Sequence, residues 1–129
     1  MGIRGSYKDY EKTIKSKREG KMKEKDIQRQ ILEFLNYHGI FAFKVHNTGI
    51  PDTNSSTGYR RVQLPGISDI IGLSKKNGKF IAIEVKVSGN KPTFEQLNFI
   101  KMVTEHNGIA FVCHNLEELE IVLRREKLI

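Results

Sequence analysis

Apolar residues recur along the chain with two periods, which divide most of it into helices and strands. Over residues 23–37 the spacing is that of one buried helix face, formed by Ile27, Ile31, Phe34 and Leu35. Gly39 is typical of the stop that ends such a helix. The aromatic and branched run 40–46 then predicts a strand.

The polar stretch 47–66 is rich in Gly, Pro, Asn, Ser and Thr and predicts a long loop, with Pro51-Asp52 as a turn within it. Two more strands follow at 67–73 and 79–87. Asn-Gly in the turn Lys76-Asn77-Gly78 between them is typical of a hairpin. A helix over 93–107, a strand over 109–113 and a helix over 116–126, capped by Asn115, complete the pattern.

The resulting order, α-β-β-β-α-β-α, predicts an α/β (α+β) fold. Three strands form an antiparallel meander, and the fourth returns after a helical crossover, which makes it parallel to its neighbour. We therefore expect a four-stranded mixed sheet flanked by helices. The length of 129 residues is that of one domain.

The formal net charge of +7 is concentrated near the N-terminus. Residues 1–25 carry nine Lys and Arg but only four Asp and Glu, whereas the rest of the chain is nearly balanced. We divide the chain into a basic arm, 1–22, and a domain, 23–129. Such an arm either attracts a polyanion, with nucleic acid the commonest, or acts as a solvated tail that aids solubility.

Several classes of protein are excluded by what the sequence lacks. No apolar run approaches the roughly 18 residues that a membrane span needs. The N-terminus has no signal-peptide pattern, so we expect an intracellular protein. The single cysteine, Cys113, excludes an internal disulfide and a multi-cysteine zinc site, and its apolar surroundings predict a buried strand residue.

The candidate chemistry lies on the predicted hairpin. In strand 79–87, Glu84 and Lys86 share one face with Phe80 and Ala82, and burying such charges is costly unless they are paired or bound to a metal. The hairpin brings Asp69 close to Glu84. Two adjacent carboxylates repel each other unless a cation or a proton intervenes. The pattern therefore predicts a divalent-metal site in which Lys86 helps to orient and activate a water. The alternative is a buried Asp–Lys or Glu–Lys salt bridge, with Asp69 in a bulge.

The positions of three further polar residues around their helices predict side chains that point towards the sheet. Glu24 and Gln28 project with the buried stripe of the first helix, and Gln96 falls within the apolar arc of the second. Alternatives exist for two of them. Glu24 also suits a first-turn acid at the helix dipole, and Thr93 with Gln96 also fits a capping box. One Gln96 side chain does not easily serve both roles.

Asp69 followed, after a hairpin, by Glu84-Val85-Lys86 resembles the PD-(D/E)XK nuclease superfamily, whose core is restriction-endonuclease-like. Here Ser68-Asp69 replaces the Pro-Asp dipeptide of that superfamily. The set of motifs is similar to the virus-type replication-repair (VRR-NUC) branch, stand-alone phage-like type. The matching segments are Lys25-Asp26-Ile27-Gln28, Gly66-Ile67-Ser68-Asp69, Ile83-Glu84-Val85-Lys86, Lys91-Pro92-Thr93 with Gln96, and Gly108-Ile109-Ala110-Phe111.

This resemblance implies one or two Mg²⁺ or Mn²⁺ ions held by Asp69, Glu84 and the backbone carbonyl of Val85. It implies that Lys86 positions the attacking water, and that Glu24, as a further ligand, and Gln96 complete the active site. The candidate DNA-binding residues, which otherwise belong to ordinary surface segments, are His46, Asn47, Arg60, Arg61 and Lys91.

The predicted function is a metal-dependent, structure-selective DNA endonuclease. The branch resembles Holliday-junction resolvases, so we expect a homodimer that cuts branched DNA and leaves 5′-phosphate and 3′-hydroxyl ends. No domain that reads flaps or ends is evident, and the setting implied is a phage-infected or prophage-bearing bacterial host. The alternatives are a non-catalytic DNA-binding module on the same fold and a sequence-specific restriction-type endonuclease.

Overall fold

The computed structural model describes residues 22–46, 50–60 and 64–129. Residues 1–21 of the predicted basic arm, Asn47 and Arg61 lie outside these residues. The elements, in chain order, are α1 (Glu24–Tyr37), β1 (Phe41–Lys44), β2 (Ile50–Pro51), β3 (Tyr59–Arg60), β4 (Ile70–Leu73), β5 (Phe80–Val85), α2 (Phe94–Glu105), β6 (Ile109–Cys113) and α3 (Leu116–Arg125).

Four strands form the main sheet in the order β1-β4-β5-β6. The first three make an antiparallel meander, and β6 is parallel to β5 after the crossover through α2. This confirms the predicted mixed sheet, and the arrangement is consistent with a restriction-endonuclease-like core. No helix in the described parts of the chain is long and apolar enough to cross a membrane.

The stretch predicted as one long loop contains a second, two-stranded sheet. β2 pairs antiparallel with β3, so the prediction that Pro51 lies outside any strand is wrong. The short hairpin escaped prediction because strands of two residues each are too short to show an alternating pattern. Asp52 does lie in a turn, where its carboxylate accepts a hydrogen bond of 2.9 Å from the Asn54 N–H.

The core lies on both faces of the main sheet. On one face, α1 and α3 cover β5 and β6, and the cluster includes Ile31, Ile83 and Leu123. On the other face, α2 covers Ile71 and Ala82 with two side chains, Phe99 and Val103. The amphipathic period of α1 is therefore confirmed. Gly39 follows the helix with a φ of +73°, in the turn that leads to β1.

Cys113 is fully buried at the end of β6, as predicted. Burial is the main cause that raises the pKa of its thiol to about 12. A thiol that keeps its proton is a poor nucleophile, so Cys113 acts as a small apolar residue of the core.

Candidate active site

The register of the meander places Asp69 opposite Glu84. Ile70 pairs with Ile83, so the register extended by one residue puts Asp69, just before β4, opposite Glu84 in β5. The Val45 N–H donates a hydrogen bond of 2.8 Å to the backbone carbonyl of Asp69, which keeps this residue aligned beyond the formal start of β4. The hairpin therefore brings the two carboxylates together, as the sequence predicts.

The carboxylate of Asp69 is oriented by the backbone of β5. Its Oδ2 accepts a hydrogen bond of 2.8 Å from the Val85 N–H. This contact joins the carboxylate to the backbone of the neighbouring strand and so restricts its orientation. Val85 thus has a role that is additional to the predicted one of its carbonyl, which stays a prediction.

Lys86 lies beside Glu84 on the same face. Its Nζ is 3.5 Å from Oε1 of Glu84, and the two side chains are 15% and 1% exposed. The Lys86 N–H donates to the Cys113 carbonyl at 3.1 Å, so the pairing of β5 with β6 continues past Val85 and fixes the backbone of Lys86. The buried ion pair named as the alternative is present, and it coexists with the Asp69 carboxylate.

Glu84 is the group that this environment perturbs most clearly. Its pKa is raised from 4.5 to about 8, first by burial and then by the nearby Asp69 carboxylate, while Lys86 opposes both effects. Its Oε2 is buried and accepts no hydrogen bond from any donor in the described residues. A carboxylate with these properties is stabilised either by a proton shared with Asp69 or by a bound cation.

The donor set suits a hard divalent ion such as Mg²⁺ or Mn²⁺, which prefers oxygen ligands. A buried carboxylate oxygen without a hydrogen bond, next to a second carboxylate, is the arrangement that such an ion neutralises. Within 22–46, 50–60 and 64–129, no three or more His, Cys, Asp and Glu side chains are grouped to hold a metal. The protein side chains at the centre of the site are therefore the pair Asp69 and Glu84.

The structure does not join Glu24 to that pair. Glu24 is the first residue of α1 and is half-buried, and the Gln28 side chain that follows it is buried, as its helical phase predicts. At this helix end the cap contact comes from Asp26, whose Oδ2 accepts a hydrogen bond of 3.3 Å from the Lys23 N–H. A metal-binding role for Glu24 stays a prediction.

Gln96 forms the capping box that was its alternative role. Its side-chain Oε1 accepts a hydrogen bond of 2.8 Å from the Thr93 N–H, and the backbone N–H of Gln96 donates to Oγ1 of Thr93 at 3.2 Å. The side chain is thereby committed to the start of α2. An active-site role for Gln96 stays a prediction, and it requires the side chain to serve the cap and the site together.

Gly66 belongs to the motif Gly66-Ile67-Ser68-Asp69, and the structure gives it a role in positioning Asp69 that the motif did not indicate. Its φ is +79°, and a Cβ atom there would lie 2.2 Å from the backbone carbonyl oxygen of Glu95. Only glycine fits so close to the first turn of α2. This contact fixes the segment that leads through the fully buried Ser68 to Asp69. A glycine three residues before the acid was the available signal.

The candidate DNA-binding residues that the structure describes are exposed. His46 follows β1, and Lys91 precedes α2. Arg60 lies in β3, where its Nε is 4.0 Å from Oδ2 of Asp52. Their exposure leaves them accessible to phosphates, and their contact with DNA stays a prediction.

The family model of the VRR-NUC domain matches residues 17–115. The match covers more than half of the chain and includes the Asp69, Glu84 and Lys86 positions. The chain belongs to the VRR-NUC family. A search of curated proteins finds no match. VRR-NUC domains are nuclease domains, so this membership makes nuclease-type processing of DNA the function of the protein.

Proposed function

We propose that this VRR-NUC protein is a Mg²⁺- or Mn²⁺-dependent endonuclease that hydrolyses phosphodiesters in branched DNA as a homodimer, leaving 5′-phosphate and 3′-hydroxyl ends. The observation that carries the proposal is the juxtaposition of three side chains on one hairpin. Asp69 and Glu84 face each other in register, and the ammonium of Lys86 is 3.5 Å from Glu84. Membership of a nuclease family supports the same chemistry.

Asp69, Glu84 and the Val85 carbonyl are the groups that would hold the ion, with Glu24 as a further ligand. A bound divalent ion supplies a coordinated water of lowered pKa and offsets charge on the phosphate. The raised pKa of Glu84 supports this assignment, because burial first and the Asp69 carboxylate second both disfavour its ionised form, and a bound cation offsets both effects.

The residues of the chain do the rest. The Val85 N–H donates to Oδ2 of Asp69 and so restricts the orientation of this carboxylate. Lys86 is mostly buried, which limits its motion and strengthens its electrostatic effect on a water or a phosphate oxygen at the site. Exposed cations such as Arg60 and Lys91 neutralise phosphates outside the cleavage point, and the net charge of +7 favours a polyanionic substrate.

The test is cleavage of four-way junction, flap and linear duplex DNA with Mg²⁺ or Mn²⁺. Variants Asp69→Asn, Glu84→Gln and Lys86→Met should each lose roughly 10³-fold or more in cleavage rate, since each removes a group at the reacting centre. Glu120→Gln, which changes an exposed carboxylate paired with Arg124 on α3, is the matched control and should cut like the wild type.

DNA binding, measured with Ca²⁺ in place of the active metal, should survive all four substitutions. Wild-type cleavage rates for Asp69→Asn or Glu84→Gln contradict the site. Salt-dependent DNA binding without cleavage by the wild type identifies a non-catalytic module instead. Cleavage that depends on base sequence and not on branching identifies a restriction-type enzyme.

A further inference from the structure

Two phenylalanine rings are exposed on the sheet face that carries the candidate site. Phe41 and Phe43 of β1 are 63% and 48% exposed. In the row of Phe43 the neighbouring residue is Ile71 of β4, which is only 7% exposed because it packs with Phe99 of α2. The cover that α2 gives to this face therefore ends at β4, and both rings of β1 lie beyond it.

The register of the sheet places these rings in line with the site. Side chains alternate along a strand, so Phe41, Phe43 and Val45 share one face of β1. The Val45 N–H donates to the carbonyl of Asp69, so Val45 and Asp69 lie opposite each other. With a rise of about 3.3 Å per residue and about 4.8 Å between strands, the Cα atoms of Phe43 and Phe41 lie roughly 8 and 14 Å from that of Asp69. A DNA strand with a phosphate at the site needs only about two to four nucleotides, at about 3.4 Å each, to reach both rings.

The segments around the rings carry positive charge. Residues 38–46 and 70–83, which include β1, β4 and the turn into β5, contain no Asp or Glu. They do contain four exposed lysines: Lys44, Lys75, Lys76 and Lys79. Aromatic rings flanked by cations are the combination with which proteins bind a single nucleic-acid strand, because the cations attract phosphates and the rings stack on bases. The charge of this surface is therefore complementary to DNA.

The geometry of the two rings favours unpaired bases over a duplex. Their centroids lie 5.9 Å apart, and their planes are inclined by 57°. The bases of a duplex are parallel, spaced by about 3.4 Å along each strand, and present their edges to the grooves. Two successive bases of a duplex therefore cannot stack on both rings. Bases that have left the duplex at a branch point turn independently, so each can stack on one ring.

We propose that Phe41 and Phe43 form a stacking platform for two unpaired bases of the DNA substrate beside the cleavage site. The partner is a single DNA strand that leaves a duplex at a branch point. The lysines hold its phosphates and the rings hold its bases. The platform explains a preference for branched DNA, so its role in selectivity rests on the proposed function. The rings select which DNA is bound and take no part in the hydrolysis itself.

Equilibrium binding of the full chain tests the platform. Fluorescence anisotropy in Ca²⁺ compares a splayed-arm DNA, whose two strands part at one end, with a fully paired duplex of the same length. Stacking contributes about 5- to 150-fold in affinity per base. The double variant Phe41→Leu, Phe43→Leu keeps apolar side chains but has no aromatic face. It should lose at least about tenfold in affinity for the splayed-arm DNA and less than about twofold for the duplex.

Two controls separate the rings from general effects on the surface. The double variant Phe41→Tyr, Phe43→Tyr keeps both aromatic faces and should bind both DNA molecules like the wild type. Ile121→Ala removes a side chain that is 64% exposed on α3, on the other side of the sheet, and should also bind like the wild type. Urea unfolding shows that each variant is folded.

A fluorescent adenine analogue, 2-aminopurine, reports stacking directly, because its emission falls when it stacks on a ring. Placed at successive positions of the unpaired arm, it should be quenched at two positions by the wild type and at neither by the leucine variant. A folded leucine variant that binds splayed-arm DNA like the wild type overturns the platform. Equal losses for both DNA molecules, or a change only in the oligomeric state seen by sedimentation, also overturn it, because the rings then serve another partner.

Binding in Ca²⁺ requires no cleavage, so this inference and the proposed function fail separately. A wild type that quenches 2-aminopurine but cuts no DNA with Mg²⁺ or Mn²⁺ refutes the proposed endonuclease and leaves the platform. A leucine variant that cuts branched DNA with the selectivity of the wild type refutes the platform and leaves the endonuclease.

Discussion

Replacing Glu84 by glutamine should stabilise the metal-free protein at alkaline pH while it removes activity. The pKa of Glu84 rises from 4.5 in the unfolded chain to about 8 in the fold. Between these values the folded protein keeps a proton that the unfolded chain releases. Its contribution to stability is therefore greatest at low pH and is lost as the pH rises through this window. Glutamine has nearly the same shape and does not ionise.

The expected magnitude follows from the shift. One pKa unit corresponds to about 1.4 kcal/mol, so the contribution of Glu84 falls by roughly 3 kcal/mol between pH 5 and pH 8. The difference in free energy of unfolding, Glu84→Gln minus wild type, should grow by that amount over the same range. The exposed Glu120→Gln control should show no comparable growth, and ionisations common to all three proteins cancel in the differences.

Urea unfolding at pH 5, 6.5 and 8 in EDTA measures this difference. A second arm adds Mg²⁺ at pH 8, which should stabilise the wild type and leave Glu84→Gln nearly unchanged. A difference between variant and wild type that stays constant from pH 5 to pH 8 refutes the reasoning, because ionising the buried carboxylate then costs no stability.

Two further predictions concern the segments that support the site. Gly66→Ala should lower the free energy of unfolding by roughly 2 kcal/mol or more, because the added methyl meets the Glu95 carbonyl. Gly78 also has a positive φ but has open space around it, so Gly78→Ala should cost only roughly 1 kcal/mol. Thermal or urea unfolding measures both losses. Thr93→Ala removes the hydroxyl of the α2 capping box and should cost about 1 kcal/mol. Equal losses for the two glycine variants, or none for Thr93→Ala, would contradict these packing and capping arguments.

Much of the fold could be predicted from periodicity, because an element that buries one face has apolar residues at regular spacing in its sequence. The stripe through Ile31 predicted α1, and β6 was predicted with its observed ends. The strands predicted at 40–46, 67–73 and 79–87 are shorter in the structure. Regular strand pairing ends near the site. There the Asp69 side chain accepts a hydrogen bond from the Val85 N–H, and Lys86 is joined to β6 by a single backbone hydrogen bond.

The centre of the site was predictable because charges inside an apolar strand are rare and costly. Glu84 and Lys86 showed this from their neighbours alone, and the hairpin turn brought Asp69 to them. Gln96 was ambiguous because a capping box and an inward-facing amide use the same spacing. The role of Gly66 depends on its distance from Glu95 across the fold, which no local pattern encodes.

The two carboxylates of the candidate site come from the two arms of one hairpin, and this affects how the chain folds. Asp69 and Glu84 are near neighbours in sequence, so they meet as soon as that hairpin closes. Raising the pH in EDTA then imposes their repulsion at the step where β4 and β5 pair. If refolding slows, the hairpin is formed in the transition state; if only unfolding accelerates, it forms later. The pair Asp69 and Glu84 thus provides a probe of the folding nucleus that needs no mutation.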